Sequence, residues 1–440
     1  MSVKKHIFFF GALLLTRAAL TASGESKNTL TLVQAMDVAI KNHVTVKLAA
    51  AKTRVAKGQT LKNASDLLPH LMGSISQSRV FRENLESQGF MAGGMLDPLL
   101  GPFNSFDARV KLTQSLFDLN AAYKYRSNRS VEKAALLQEN LAQEEVASAA
   151  ALAYLEAVRS HREVQSAQAD YELAKSLADL AMDQHKAGLS TGVDVARSKT
   201  RLAQQKVQMI KAQDAARESL IRLERVVGLP LSEETVLTDD FQSFAIPIPT
   251  LEESIANALK DRLELQVAET LVNASMDDLK SEKAGYAPKL QVEGAYGLSG
   301  NVPKDSKEVG DIGAQLEVPL FNGGETRGKV KTARGHYEEA AARAVDTRRQ
   351  IEEDVRLSLI SLASSLDELE TAQQTVQLAE TELKMAKDRY SAGVGDNIQV
   401  LSAQTALAQA HATLVDALAL TNVARVNLSM ALGHVRSFKL

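Results

Sequence analysis

The sequence of 440 residues predicts a mainly helical protein with a small β part. Three observations carry that prediction. The 9 prolines leave residues 103–229 and 320–440 free of proline, and both runs are rich in Ala, Leu, Gln and Glu. Such runs suit long helices. Inside them, apolar residues recur every seven positions, the pattern of helices that pack side by side. Between them lie four short segments that alternate apolar and polar with a period of two, the pattern of strands. Aromatic residues are only 5% and Trp is absent, which is thin for one large globular core.

Residues 1–24 read as an export signal. Lys4 and Lys5 form a basic start, Ile7 to Leu15 an apolar core, and Ala22-Ser23-Gly24 a small-residue cleavage site, with Arg17 as an interruption. Nine apolar residues are too few for a spanning helix. Removal of Lys4, Lys5 and Arg17 takes the formal charge from -3 to -6, so nucleic acid is no natural partner. The absence of Cys excludes disulfides, thiolate metal sites, a Cys nucleophile and a lipid-modified N-terminal Cys. No other segment reaches eighteen consecutive apolar residues, so a membrane crossing would have to be a β-barrel.

The mature chain is one unit written twice. Leu32-Val-Gln-Ala-Met aligns with Leu251-Glu-Glu-Ser-Ile at an offset of 219 residues, which also carries Pro69 onto Pro288 and Leu71 onto Leu290. Leu112 to Phe117 aligns with Leu316 to Phe321 at an offset of 204, which places the main length difference in the loop around Gly89 to Phe106. Ala187-Gly188-Leu189 aligns with Ala392-Gly393-Val394 at an offset of 205, as does Val227-Gly228 with Leu432-Gly433. The division is residues 1–24 as signal, 25–228 as the first repeat, 229–250 as a linking segment, 251–433 as the second repeat and 434–440 as a C-terminal tail.

Each repeat predicts a helix, two strands, a long helix and a shorter one. The helices fall near Thr31 to Leu68, Asn120 to Lys186 and Val193 to Val227, then near Leu251 to Gly285, Gly324 to Ser391 and Asn397 to Leu432. At about 1.5 Å per residue the longest reach about 100 Å. Val355, Leu362, Leu369, Val376, Leu383 and Tyr390 make a large heptad layer, with Ser358, Ser365, Ala372, Ala379 and Ala386 as the small one. Val400, Leu407, Leu414, Thr421 and Leu428 alternate with Ala403, Ala410, Ala417, Ala424 and Ala431. The first repeat is softer: Val195, Leu202, Met209, Ala216 and Leu223 alternate with Ser198, Gln205, Ala212, Ser219 and Val226.

The strands follow Pro69 and Pro288 and precede the long helices. Ile312, Ala314, Leu316, Val318 and Leu320 share a face opposite Asp311, Gly313, Gln315 and Glu317. Leu290, Val292 and Tyr296 oppose Gln291, Glu293 and Ala295, and Val110, Leu112 and Leu116 oppose Arg109, Lys111 and Thr113. Leu71, Gly73 and Ile75 are a less regular fourth strand. About ten residues of alternation suits an outer-membrane strand, with Leu290 and Leu316 toward lipid, Leu316 near mid-bilayer and Gln315 toward the lumen. Four strands cannot close a barrel and open edges cannot persist in lipid, so copies must pool strands, eight in a dimer or twelve in a trimer.

No catalytic constellation and no cofactor site emerges. The 8 His residues show no ligand spacing, and no P-loop, GxSxG or GxGxxG is present. The candidates with functional meaning are the turns between long and short helices. Gly188 and Gly393 suit a left-handed position just past a helix end. Thr191-Gly-Val193-Asp194 and Asp396-Asn-Ile-Gln399 suit capping-box starts to the next helix.

In this order, and duplicated, these features resemble the TolC-like outer-membrane efflux protein family over essentially the whole mature chain. The carrying residues are the repeat starts at Leu32 and Leu251, Leu68-Pro69 and Ala287-Pro288, Ser115-Leu116-Phe117-Asp118 and Pro319 to Gly324, Tyr390 to Val394, and Ala431-Leu432-Gly433. The resemblance implies a homotrimer in the outer membrane of a Gram-negative cell, in contact with lipid, with a twelve-stranded barrel and a long periplasmic α-barrel. It implies a periplasmic adaptor and an inner-membrane transporter as partners, and no enzyme activity. It implies adaptor docking at the tips, Gly188, Leu189, Ser190, Thr191 and Val193 with Gly393 and Val394, where the pore also closes. Drug or metal efflux leads as the task, with type I protein secretion as the alternative. A soluble periplasmic coiled-coil scaffold is the reading of another class, which would not need the alternation from Ile312 to Leu320. The chain departs from the family at the pore: Gln399 and Ser402 stand where carboxylates are expected, and Gly395 where a basic residue is expected. Asp396 could supply a carboxylate ring instead, and Tyr390 falls in the heptad layer.

Overall fold

A computed structural model describes residues 29–84, 99–231, 235–241 and 248–440. The export signal and parts of the 89–106 loop and the 229–250 segment lie outside the described residues. The elements run β1 (Thr29–Leu30), α1 (Leu32–Asn42), α2 (Val44–Ser65), β2 (His70–Val80), β3 (Glu83–Asn84), β4 (Leu99–Leu100), β5 (Phe103–Phe117), α3 (Leu119–Lys186) and α4 (Gly192–Val227). They continue with β6 (Val236–Leu237), α5 (Leu251–Asp261), α6 (Leu263–Lys283), β7 (Lys289–Gly300), β8 (Lys307–Glu317), α7 (Glu325–Ser391) and α8 (Asn397–Ala431).

The long helices are continuous, 68 residues in α3 and 67 in α7, about 100 Å each at about 1.5 Å per residue. Asp118 caps the start of α3, accepting from the Ala121 amide at 2.9 Å. The two helices expected over 31–68 and 251–285 are each broken once. His43 and Arg262 adopt extended backbone, ending one helix and opening the next. His43 Nδ1 accepts from the Thr45 amide at 3.3 Å. Arg262 spends its guanidinium on Glu264 and Asp354, both at 2.6 Å. Neither residue is Gly or Pro, so the breaks carry no composition signal.

The helices lie side by side, with α3 central. Toward the sheet the order is α2–α3–α6–α7; away from it the order is α4–α3–α8–α7. The helices α2 and α4 therefore form one edge of the chain and α7 the other. Every member of the large heptad layer of α7, Val355 to Tyr390, is buried. In α8, Val400, Leu407, Thr421 and Leu428 are buried with the alanines between them, and Leu414 is half-buried. In α4 the two layers mix: Ser198, Gln205, Ser219 and Leu223 are buried, whereas Leu202, Met209, Ala212 and Val226 are half-buried.

The most deeply packed cluster sits where α1, α3, α4 and α8 meet. Tyr154 is fully buried there; its hydroxyl donates to Leu30 O at 2.9 Å and accepts from the Asp239 amide at 3.3 Å. Burial pushes the phenol well above its ordinary range. The C-terminal residues join this cluster through Val435 and Phe438, so 434–440 is a packed closure rather than a loose tail. The short strands β1 and β6 pair in parallel beside it, which two-residue lengths hid from the sequence reading.

One four-stranded antiparallel sheet, ordered β2-β5-β7-β8, carries the strands that the alternation predicts. Its register sorts two faces. Leu71, Leu112, Gly294 and Ile312 fall in one row, and Leu290 pairs with Leu316 on the same face. On the other face lie Met72, Lys111, Ala295 and Asp311, with Lys111 bonded to Glu293 at 2.7 Å and Arg109 to Asp107 at 2.7 Å. Two expectations change. A bulge between Ser115 and Phe117 makes Phe117, not Leu116, the partner of Leu290. Leu316 lies next to the helix end of β8, so the middle of the strand is Ile312.

Candidate functional site

The two helical turns sit side by side at the end of the molecule far from the sheet. Each is closed by the same pair of backbone bonds. Leu189 N donates to Gln184 O at 2.9 Å and Gly188 N to His185 O at 3.0 Å; Val394 N donates to Arg389 O at 3.1 Å and Gly393 N to Tyr390 O at 3.0 Å. Gly188 and Gly393 have φ of 72° and 73°, the left-handed conformation such a helix end requires. An apolar residue after that glycine ordinarily packs back on the helix. Here the positions it would cover are Gln184 and Arg389, and Leu189 and Val394 stay 65% and 71% exposed. Val193 is exposed beside them.

The returning helices start differently. Thr191 and Asp194 form a full capping box: Thr191 N donates to Asp194 Oδ2 at 2.9 Å and Asp194 N to Thr191 Oγ1 at 3.4 Å. The hydroxyl and amide of Thr191 hold the Asp194 carboxyl below its usual range. Asp396 caps α8 by accepting from the Ile398 amide at 3.0 Å, with no reciprocal bond from Gln399. The second capping box is therefore absent, and Gln399 is left exposed. Ser190 ties the first tip back, its hydroxyl donating to Ala181 O at 3.3 Å.

The pore positions follow from the turn. A Cβ at Gly395 would lie 2.9 Å from Tyr390 N and 3.0 Å from Arg389 C, so this turn excludes a basic side chain there. Gln399 and Ser402 are exposed and uncharged. Tyr390 is buried in the apolar cluster of α7 and α8, and burial pushes its phenol up.

Sequence reasoning missed the seam between the two halves of the chain, where α8 lies against α3. Arg159 Nη1 bonds Asp416 at 2.6 Å and Glu163 at 3.0 Å. His411 Nδ1 lies 3.6 Å from the buried Asp170 carboxylate. Asp170, opposed by burial and aided by Glu380, raises the His411 imidazole above its ordinary range. Nearer the tip, Asn397 Nδ2 donates to Asp194 O at 3.1 Å and to Ser198 Oγ at 3.3 Å, and Gln184 Nε2 donates to Ser391 O at 3.3 Å. The legible signal was a polar heptad row, Asn397, Gln404 and His411, on a helix otherwise nearly without charge.

Known proteins of this architecture agree with the geometry. Residues 254–434 match the family model described as "Outer membrane efflux protein". The chain is similar to the alkaline protease secretion protein AprF of Pseudomonas aeruginosa, 25% identical over 408 residues, which are 91% of this chain and 82% of the relative. It is 24% identical to the outer membrane protein TolC of Escherichia coli over 75% of this chain and 70% of that protein. The chain is a TolC-like protein. Its fold is shared with the outer membrane protein VceC of Vibrio cholerae, with a TM-score of 0.80 at 18% identity, covering 92% of this chain and 96% of that one. Among the described residues of this TolC-like chain, no helix is long and apolar enough to cross a membrane and no cluster of metal ligands occurs.

Proposed function

We propose that three copies of this chain form an outer-membrane exit duct, through which cargo handed over in the periplasm leaves the cell. The observation that carries this reading is the sheet. It has an apolar and a polar face and two unpaired edges, β2 and β8, and it stands on helices about 100 Å long. Lipid cannot hydrate free strand edges, so β8 of one copy pairs with β2 of the next until the ring closes. The edge helices favour the same closure. Leu48 and Val55 on α2, and Leu357, Leu378 and Met385 on α7, are exposed in the single chain.

The duct is a conduit and not an enzyme; the energy comes from an inner-membrane transporter, joined to the tips by a periplasmic adaptor. Leu189 and Val394 are the apolar contacts an adaptor would cover. Residues 1–24 direct export to the periplasm. Residues 25–228 and 251–433 are two copies of one unit joined by 229–250, with 434–440 closing the core. Export of small molecules is one task this supports. Similarity to AprF, whose name describes protease secretion, favours type I protein secretion as the second.

Planar-bilayer recording tests the duct. Purified detergent-solubilised protein should insert and conduct ions, with steps that vanish when Ile312→Arg protein is added instead. Absence of conductance from an intact oligomer would contradict an open-ended duct.

A further inference from the structure

The helices next to the sheet carry cations that find no partner inside the chain. Arg129 and Lys133 on α3, and Arg327, Lys331 and Arg334 on α7, are exposed. Among the described residues none of these side chains has an ion pair or a hydrogen bond. Arg126 shares the Asp277 carboxylate, at 3.7 Å, with Lys280 at 3.1 Å. The chain as a whole is acidic, with a formal charge of -3, so this excess is local.

Helical spacing puts these cations on one side of the wall. A cleft of about 670 Å³ lies over α6 between α3 and α7, lined by Lys124, Asn128 and Val131 on the first and by His336, Ala340 and Arg343 on the second. Arg126, Arg129 and Lys133 are spaced by three and four residues, and Arg327, Lys331 and Arg334 by four and three, so each set forms one stripe. At about 3.6 residues per turn, each stripe lies half a turn round from the cleft. The sheet decides which side that is. Asp118, at the start of α3, lies 3.5 Å from Lys289, and Lys289 stands opposite Glu317 in the polar row of the sheet. Arg129 follows Asp118 by eleven residues, about three turns, and so faces the same way about 16 Å further from the sheet. In a duct, that side lines the lumen.

We propose that these stripes form a cationic collar inside the duct, just below the barrel, through which small organic anions are drawn. This rests on the duct reading above and names the charge class of its cargo. The offset of 205 residues carries Arg126 to Lys331 and Arg129 to Arg334, so the two repeats supply the same two levels. Two cations per chain and three chains put six at each level. Lys133 corresponds to Glu338, where the charges cancel and the collar ends. A passage lined by one sign of charge focuses its field and concentrates the opposite ion, and rings of Arg or Lys select anions in pores. The guanidinium groups of Arg129 and Arg334 suit carboxylate or phosphate on the passing solute.

Planar bilayers under a potassium chloride gradient read the collar as a reversal potential. Arg129→Glu with Arg334→Glu should lower the chloride-over-potassium permeability ratio several-fold. Arg129→Lys with Arg334→Lys should keep the ratio, and Arg343→Glu, on the cleft side, should leave it unchanged. The chain has no cysteine, so the collar can also be charged after insertion. In Arg334→Cys channels a cationic methanethiosulfonate should restore chloride preference, and an anionic one should lower it further. This second arm stands even if the charge-reversed protein fails to assemble. If the reversed channels keep the parent's ratio, or the thiol reagents leave it unchanged, the stripes face outward to anionic lipid headgroups and the collar is wrong while the duct stands. A parent oligomer that conducts nothing defeats duct and collar together.

Discussion

Ile312→Arg should remove the protein from the outer membrane. Ile312 is at the middle of β8 and 84% exposed, in one row with Leu71, Leu112 and Gly294 on the apolar face. An arginine on the lipid face at mid-bilayer costs about 2–4 kcal/mol per chain, and a ring of three feels it three times. Asp311→Arg and Gln315→Arg, on the polar face, should assemble almost normally. Leu316→Arg should be milder than Ile312→Arg, because near the interface the cost falls to about 0–1 kcal/mol. Quantitative blotting of heat-modifiable oligomer in outer-membrane fractions reads all four. Equal damage from Ile312→Arg and Asp311→Arg would mean that the sheet does not separate lipid from lumen.

The second large effect is expected at the tips. The double variant Leu189→Asp, Val394→Asp should keep oligomer yield and thermal stability and lose most export. Both side chains are exposed beyond the backbone bonds that close their turns, so the folded chain has nothing to lose by the change. An adaptor covering them would have to bury two unpartnered carboxylates, which is costly. Gly188 and Gly393 are unsuitable probes, since a side chain at positive φ strains the turn itself. Measured together, oligomer level and cargo efflux decide the matter. Normal export by an intact double variant would remove these side chains from docking; loss of the oligomer would show that they pack inside the tip.

Much of this architecture is legible in the sequence because it is periodic. A heptad run such as Val355 to Tyr390 predicts its own buried face, and all six residues are buried. The strand faces are equally legible, since alternation has one phase per strand. The phase is lost only at the bulge, where Phe117 replaces Leu116 opposite Leu290. Helix breaks at His43 and Arg262 were not legible, because each is set by one extended residue whose neighbours remain helix formers. The half-seam was hidden for another reason. Arg159 and Asp416 are 257 residues apart, and a surface ion pair has no signature until the fold brings its members together. The tip turns were located correctly from Gly188 and Gly393, but the unequal caps at Thr191 and Asp396 depend on whether a side chain at the third helical position reaches back, as Asp194 does and Gln399 does not.

In the proposed duct this chain completes its barrel with other copies of itself. Light scattering of the mature protein in detergent, with the detergent contribution subtracted, measures the protein mass directly. The expected mass is that of three chains, extracted from outer membranes only with detergent. A monodisperse single chain that stays soluble without detergent would contradict it, because β2 and β8 would then be stable as free edges and the sheet would have no lipid to face.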